Sequence, residues 1–215
     1  MIAEVVAALG IGKIDLIAND SGGAIAQIFA AHYPERLNSL VLTNCDVHDG
    51  WPPPQVLPVI ERARNGTLAA AFQPLADRPD VALARHAKGE PVPLLRAYAD
   101  PSVLTEEIIR LYLQPLLSSP QRIEAFQNYW LAFDNKHTVA IHSALQALQV
   151  PTLIVWALDD FFFDLKWAYW LKNTIPGARS VVEVKDARLF FPEDRPDALA
   201  GPVLDFWDEL EAACA

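Results

Sequence analysis

The stretch Ile14–Gly23, with the sequence IDLIANDSGG, constrains the fold of this chain more than any other. It begins with apolar residues and ends with serine and two glycines, a pattern that predicts a buried strand turning sharply into a helix. A turn of this kind brings the backbone close to itself and exposes the side chain at its tip. We therefore expect a nucleophile elbow here, with the reactive residue at its tip.

Steric crowding at the elbow favours Asp20 as the nucleophile. Only small side chains fit two positions before the tip and two or three positions after it. If Ser21 were at the tip, Asn19 would fall in a position that requires glycine or alanine. With Asp20 at the tip, the crowded positions hold Ala18, Gly22 and Gly23.

Three further segments agree with the elbow in order and spacing: HYPERLNSLVLTN (His32–Asn44), PTLIVWALDD (Pro151–Asp160) and FFPEDRP (Phe190–Pro196). With the elbow, they resemble the α/β-hydrolase superfamily, and specifically its aspartate-nucleophile branch, which includes epoxide hydrolases and haloalkane dehalogenases. The alternative is a tight strand–helix turn such as any doubly wound protein contains. The resemblance implies an α/β fold with a mostly parallel sheet, flanking helices and an inserted helical cap.

The sequence pattern divides the chain into three parts. Residues 1–50 are expected to form the first part of the hydrolase core, and residues 149–215 the second part. Residues 51–148 begin with consecutive prolines, continue with short helical patterns and resemble the family's cap domain. Further strand patterns are found at Leu37–Thr43, Pro151–Ala157 and Arg179–Val184.

The start of the chain is abrupt compared with the family. The resemblance implies several strands and an oxyanion-hole loop before the elbow strand, and the sequence has none of them. We therefore expect an N-terminally shortened sheet whose exposed edge promotes self-association.

The resemblance also implies a mechanism that needs three groups. Asp20 attacks an electrophilic carbon to form an ester, and a histidine-activated water hydrolyses that ester while a second carboxylate orients the histidine. Asp160 falls at the acid position, with its neighbour Asp159 as the choice if the register shifts by one. An exposed helix N-cap is the structural alternative for both aspartates. The histidine position falls on Leu189, which cannot transfer a proton.

The helix after the elbow is predicted to point its N-terminus at Asp20. The backbone N–H of Ser21 is then an oxyanion-hole donor, strengthened by the helix dipole, while Gly22 and Gly23 complete the elbow.

Other residues are expected around the nucleophile because ligands of open α/β sheets bind at the carboxyl ends of strands. Asn44, Cys45, Asp46 and His48 follow the second strand, and we assign Asn44 and His48 to the substrate pocket. His48 is also the histidine best placed to replace the missing base. From the cap, the pocket candidates are Tyr112, Tyr129 and Trp130, although each has the alternative of packing the cap's own core.

Composition limits the partners. A net charge of −10 argues against binding to nucleic acid. Two distant cysteines do not form a disulfide framework, and neither a basic leader nor a run of eighteen apolar residues is found, so we expect a cytoplasmic protein without membrane insertion. No metal-binding or cofactor motif is apparent, so a small-molecule substrate is expected without a cofactor or metal.

These features predict a hydrolase of small apolar electrophiles, either epoxides or alkyl halides, with turnover impaired by Leu189. Epoxides are favoured because the resembling dehalogenases place a tryptophan directly after the nucleophile, where this chain has Ser21. Two alternatives stay open. One is a non-catalytic ligand-binding or interaction protein on the same fold, and the other is a serine esterase that uses Ser21 and also needs the missing base.

Overall fold

The computed structural model describes residues 1–90, 92 and 94–214, without the side chain of Cys214. The strands within this part form one parallel sheet in the order β1-β2-β3-β4. Their bounds are β1 Ile14–Asp20, β2 Leu37–Cys45, β3 Thr152–Ala157 and β4 Ala178–Val184. Strand β3 is buried along its whole length, as is typical of parallel strands covered on both faces. The α/β fold class with a parallel sheet and flanking helices is confirmed.

Helices cover both faces of the sheet. Helices α1 (Ile2–Ala8), α2 (Ser21–His32) and α10 (Lys166–Thr174) belong to one face, and α11 (Phe191–Asp194) and α12 (Asp197–Cys214) to the other. Because alternate residues of a strand point to opposite faces, β3 contributes Ile154 and Trp156 to one apolar cluster and Leu153 and Val155 to the second.

The described residues between 51 and 148 contain helices and short 3₁₀ turns but no strand. The helices are α3 Leu57–Arg64, α4 Leu68–Asp77, α5 Pro79–Ala87, α6 Glu106–Leu117, α7 Pro120–Leu131, α8 Lys136–Ala140 and α9 His142–Gln146. Buried residues of this region, among them Leu104 and Ile109, join the apolar cluster on the α2 face of the sheet. The helical segment therefore packs on the core.

Because the strands are parallel, their carboxyl ends share one edge of the sheet, and the loops that follow β1, β2 and β3 meet there. In the described part of the chain, no helix has the length and apolar character needed to cross a bilayer.

Candidate active site

Asp20 lies at the tip of the turn between β1 and α2. Its backbone has φ 56° and ψ −136°, a region that side-chain-bearing residues rarely adopt. Ser21 follows as the first residue of α2. Strain of this kind persists only where the surrounding structure enforces it, and it is common at reactive positions. The geometry thus places Asp20, and not Ser21, at the tip.

Close packing behind the elbow explains only one of the two glycines. A Cβ atom added to Gly23 would meet the side chain of Cys45 on β2, with the nearest carbon at 2.2 Å. A Cβ atom on Gly22 would meet nothing within 4 Å. The crowding expected at both positions is therefore found at Gly23, where α2 contacts β2, and absent at Gly22.

The environment of Asp20 makes its carboxyl group a weaker acid than an aspartate exposed to water. Burial raises its pKa to about 6, and a hydrogen bond from the backbone N–H of Ser21 acts in the opposite direction. At neutral pH the group is ionised, and its elevated pKa reflects a carboxylate that lacks much of its hydration. Such a carboxylate is a better nucleophile than one exposed to water.

Asp160 is held rigidly beside β2 and β3. Its Oδ2 accepts a 2.8 Å hydrogen bond from Nδ2 of Asn44, and its Oδ1 accepts one of 2.8 Å from the backbone N–H of Phe162. Burial raises the pKa of Asp160 to about 6, these hydrogen bonds lower it, and the charge of Asp20 raises it. The neighbouring Asp159 is exposed, so the geometry favours Asp160 as the carboxylate of the cluster.

Asn44 does not line a pocket as the sequence predicted. It is completely buried, and its Oδ1 accepts a 2.7 Å hydrogen bond from the backbone N–H of Ala157 while its Nδ2 holds Asp160. The amide side chain satisfies polar groups between two buried strands, so Asn44 positions Asp160 instead of facing a ligand.

Leu189 lies in the loop after β4 and is buried. Its carbonyl oxygen accepts a 3.0 Å hydrogen bond from Nδ2 of Asn19, and the same nitrogen lies 2.6 Å from Oγ1 of Thr43. Asn19 precedes Asp20 directly, so this loop is tied to the elbow. An apolar side chain occupies the position at which the resemblance implies a histidine.

His48 belongs to a different cluster. Its Nε2 lies 3.1 Å from Nδ1 of His142, its Nδ1 lies 3.1 Å from Oδ1 of Asp49, and its ring stacks near Trp170. Both ring nitrogens are engaged in this arrangement, which does not favour His48 as a replacement for the base, and its place in the pocket stays a prediction.

The aromatic residues predicted to line the pocket from the helical segment 51–148 divide into two groups. The Tyr129 hydroxyl lies 2.5 Å from Oγ of Ser21, so α7 reaches the elbow. Trp130 packs near Tyr129, and its buried indole N–H has no hydrogen-bond partner. Tyr112 donates its hydroxyl to Glu193 at 2.9 Å, and this bond directs it to α11 instead of the elbow, contrary to its predicted place in the pocket.

Sequence reasoning expected Asp46 near the nucleophile but assigned it no function. This residue follows β2, is 1% exposed, and neither carboxyl oxygen has a hydrogen-bond partner among the described residues. Burial and, secondarily, the charge of Asp20 raise its pKa to about 8. The only available signal was an acidic residue placed directly after a buried strand.

Two surface depressions differ in their relation to these residues. A cleft of about 740 Å³ borders Asp160 and includes Phe162 and Trp170 in its walls. A groove of about 1080 Å³ lies at the amino-terminal ends of the strands, beside Leu37 and Arg179, away from Asp20. Among the described residues, no group of three or more His, Cys, Asp or Glu side chains is arranged to hold a metal ion.

Comparison with known proteins identifies the family. The family model for the alpha/beta hydrolase fold matches residues 1–194. The chain belongs to this family. This α/β hydrolase is 28% identical over 218 residues to the cis-3-alkyl-4-alkyloxetan-2-one decarboxylase of Shewanella oneidensis, covering 93% of the chain and 61% of that protein.

A second relative is the 2-hydroxy-6-oxononadienedioate/2-hydroxy-6-oxononatrienedioate hydrolase of Burkholderia vietnamiensis, 28% identical over 179 residues, with 83% of the chain and 57% of that protein covered. The chain thus spans about three fifths of the length of these curated relatives.

Solved structures of the family share the fold. An alpha/beta hydrolase fold protein from Burkholderia ambifaria superposes with a TM-score of 0.72 at 23% identity, over 95% of this α/β hydrolase and 70% of that chain. The epoxide hydrolase CorEH gives a TM-score of 0.70 at 20% identity, over 97% and 72% of the two chains.

Proposed function

We propose that this α/β hydrolase uses Asp20 to attack a small apolar electrophile and to form an aspartyl ester. The observation that carries the proposal is the strained backbone of Asp20 at the tip of the elbow. The N-terminus of the twelve-residue helix α2 adjoins this carboxylate and favours negative charge there. One carboxylate oxygen bonds to the electrophilic carbon, and the leaving group departs with the electron pair of the broken bond.

The proposed substrates are epoxides or alkyl halides, with preference for a strained ring that opens at a carbon–oxygen bond. Ser21 follows the nucleophile, in the place where the resembling dehalogenases have a tryptophan. The decarboxylase from Shewanella oneidensis also acts, by its name, on a strained ring that contains oxygen. Both facts support an oxygen leaving group over a halide.

Hydrolysis of the ester is proposed to be slow. A water molecule must lose a proton as it attacks the ester carbonyl, and Leu189 offers no base. Asp160 already accepts hydrogen bonds from Asn44 and Phe162, so it is positioned without the histidine that it would orient. The reaction therefore accumulates the covalent intermediate.

A second candidate function is ligand binding without turnover. It is favoured by the buried leucine at the base position, because an apolar side chain there cannot transfer a proton.

Intact-mass spectrometry separates the two functions. Incubation with 1,2-epoxyhexane or 1-bromohexane should add one equivalent of ligand, the adduct should persist for hours, and Asp20→Asn should abolish it. Leu189→His combined with Arg188→Gly should convert the persistent adduct into repeated turnover, whereas Leu189→Asn with Arg188→Gly should not. If neither reagent forms an adduct with any of these proteins, ligand binding is the better function.

A further inference from the structure

The backbone of Asp46 is hydrogen-bonded to the elbow and to the helix that follows it. Its N–H donates to the carbonyl oxygen of Asp20 at 3.4 Å, and its own carbonyl oxygen accepts a 2.9 Å hydrogen bond from Nε2 of Gln27 on α2. The side chain is 1% exposed, and within the part of the chain that the structure describes both carboxyl oxygens lack a hydrogen-bond partner. An ionised carboxyl group in this state would be strongly unfavourable, so the site favours the protonated acid.

Three titratable groups interact electrostatically with Asp46: Asp20 on β1, Cys45 on β2 and Tyr129 on α7. The pKa of the Cys45 thiol is raised well above its usual value by burial, and the pKa of Tyr129 is raised by burial as well, so both stay neutral near pH 7. The pKa of Asp20 is raised to about 6 and that of Asp46 to about 8. Between these values the pair consists of one carboxylate and one carboxylic acid.

We infer that Asp46 is the general acid of ester formation, and that the substrate therefore carries an oxygen leaving group. This inference rests on the proposed function of Asp20. Two nearby carboxyl groups that differ in protonation are the arrangement by which enzymes divide nucleophilic and acid roles. The Asp46 O–H has no acceptor among the described residues, so a ligand oxygen that enters beside it would supply one.

With an epoxide, ester formation and ring opening occur in one step. An oxygen of the Asp20 carboxylate forms a bond to a ring carbon, the carbon–oxygen bond of the ring breaks, and its electron pair goes to the ring oxygen. That oxygen takes the proton of Asp46. The products are an ester at Asp20, a hydroxyl group on the ligand and a carboxylate at Asp46. A halide leaves as an anion and needs no proton, so Asp46 gives it no assistance.

The test compares Asp20 alkylation by 1,2-epoxyhexane and by 1-bromohexane, followed as adduct mass against time. In Asp46→Asn, the ratio of the epoxide rate to the bromide rate should fall about 100-fold, the scale of general acid catalysis. Asp49→Asn is the matched control, because Asp49 lies three residues further along the same loop and is exposed, and its ratio should equal that of the unmodified protein.

The pH profile of the unmodified protein provides a second measurement that does not depend on how a variant folds. The epoxide rate should rise through about pH 6 as Asp20 ionises and fall above about pH 8 as Asp46 loses its proton. The bromide rate should rise through about pH 6 and then stay level.

Three results would contradict the role of Asp46 as general acid, and one of them would also contradict the role of Asp20 as nucleophile. Adducts with both reagents, an unchanged ratio in Asp46→Asn and the same pH profile for both would overturn this inference alone, and would assign Asp46 a structural role beside the unpartnered Oε1 of Gln27. A lower ratio in Tyr129→Phe, without one in Asp46→Asn, would make Tyr129 the acid and would also overturn it. Absence of any adduct would overturn the proposed function together with this inference.

Discussion

At the residue scale, the acidic side chains at the carboxyl edge of the sheet have different environments. Asp160 accepts two hydrogen bonds of 2.8 Å, Asp20 accepts a backbone hydrogen bond at the elbow, and Asp46 has no partner. Burial raises the pKa of each, to about 6 for Asp160 and Asp20 and to about 8 for Asp46. The two aspartates that accept hydrogen bonds have the lower pKa, since a donor stabilises the ionised form and opposes the effect of burial.

These shifts make stability fall as pH rises. A carboxyl group whose pKa is higher in the folded state binds more protons folded than unfolded, so its contribution is present at low pH and is lost as pH rises through the folded-state pKa. For Asp46 the window runs from the ordinary value near 4 to about 8. Asp46→Asn removes the titrating group. The variant should exceed the unmodified protein in unfolding free energy by a few kcal/mol at pH 9 and by nothing at pH 4.

Urea unfolding at the two pH values measures this difference. Asp208→Asn, which changes an exposed side chain on α12, is the control and should show no gain at either pH. An equal effect of Asp46→Asn at pH 4 and pH 9 would contradict a raised pKa at Asp46.

At the element scale, the strand–turn–helix unit was largely predictable because its pattern is local. The turn was predicted from the small residues Ala18, Gly22 and Gly23, although crowding is found at Gly23 and not at Gly22. Apolar runs predicted the strands, although β2 continues two residues beyond the predicted Thr43 to Cys45. The side-chain partners were not predictable. Asn44 bonds to Ala157, 113 residues away, and His48 to His142, 94 residues away, so local patterns contain no information on these pairs.

The close contact of α2 with β2 should make the protein sensitive to a larger side chain at Gly23. Gly23→Ala should lower the unfolding free energy by a few kcal/mol, because the new Cβ overlaps the Cys45 side chain and the buried strand leaves little room for it to move. Gly22→Ala is the matched control: it enters open space within the same helix and should raise stability by about 0.5–1 kcal/mol. Urea unfolding compares the two. Equal effects of the two substitutions would show that α2 does not contact β2 at Gly23.

At the scale of the whole molecule, β1 and β4 are the two edge strands of the sheet within the described residues, and β1 carries exposed apolar side chains. Ile17 on this strand is 42% exposed, and Ile25 on α2 is 46% exposed. An edge strand with unpaired backbone groups and apolar neighbours favours pairing with another chain. A second copy of this chain offers the same strand, since two β1 edges can pair in antiparallel orientation.

Self-association is therefore expected to depend on concentration. Sedimentation velocity should show a growing fraction of dimer or larger species as concentration rises, and Ile17→Lys should reduce that fraction severalfold, because an edge lysine opposes pairing. Leu204→Lys, which changes an exposed apolar residue on α12, is the control and should leave the distribution unchanged. A monomer at all concentrations would contradict the prediction.

Peptide mapping shows directly whether Asp20 is the residue that forms the covalent bond with the substrate. The protein is incubated with 1,2-epoxyhexane, digested and analysed by tandem mass spectrometry, which resolves the neighbouring residues Asp20 and Ser21. The added mass should be found on Asp20, be absent in Asp20→Asn and be retained in Ser21→Ala. An adduct on Ser21, or one that survives Asp20→Asn, would contradict the role of Asp20 as nucleophile.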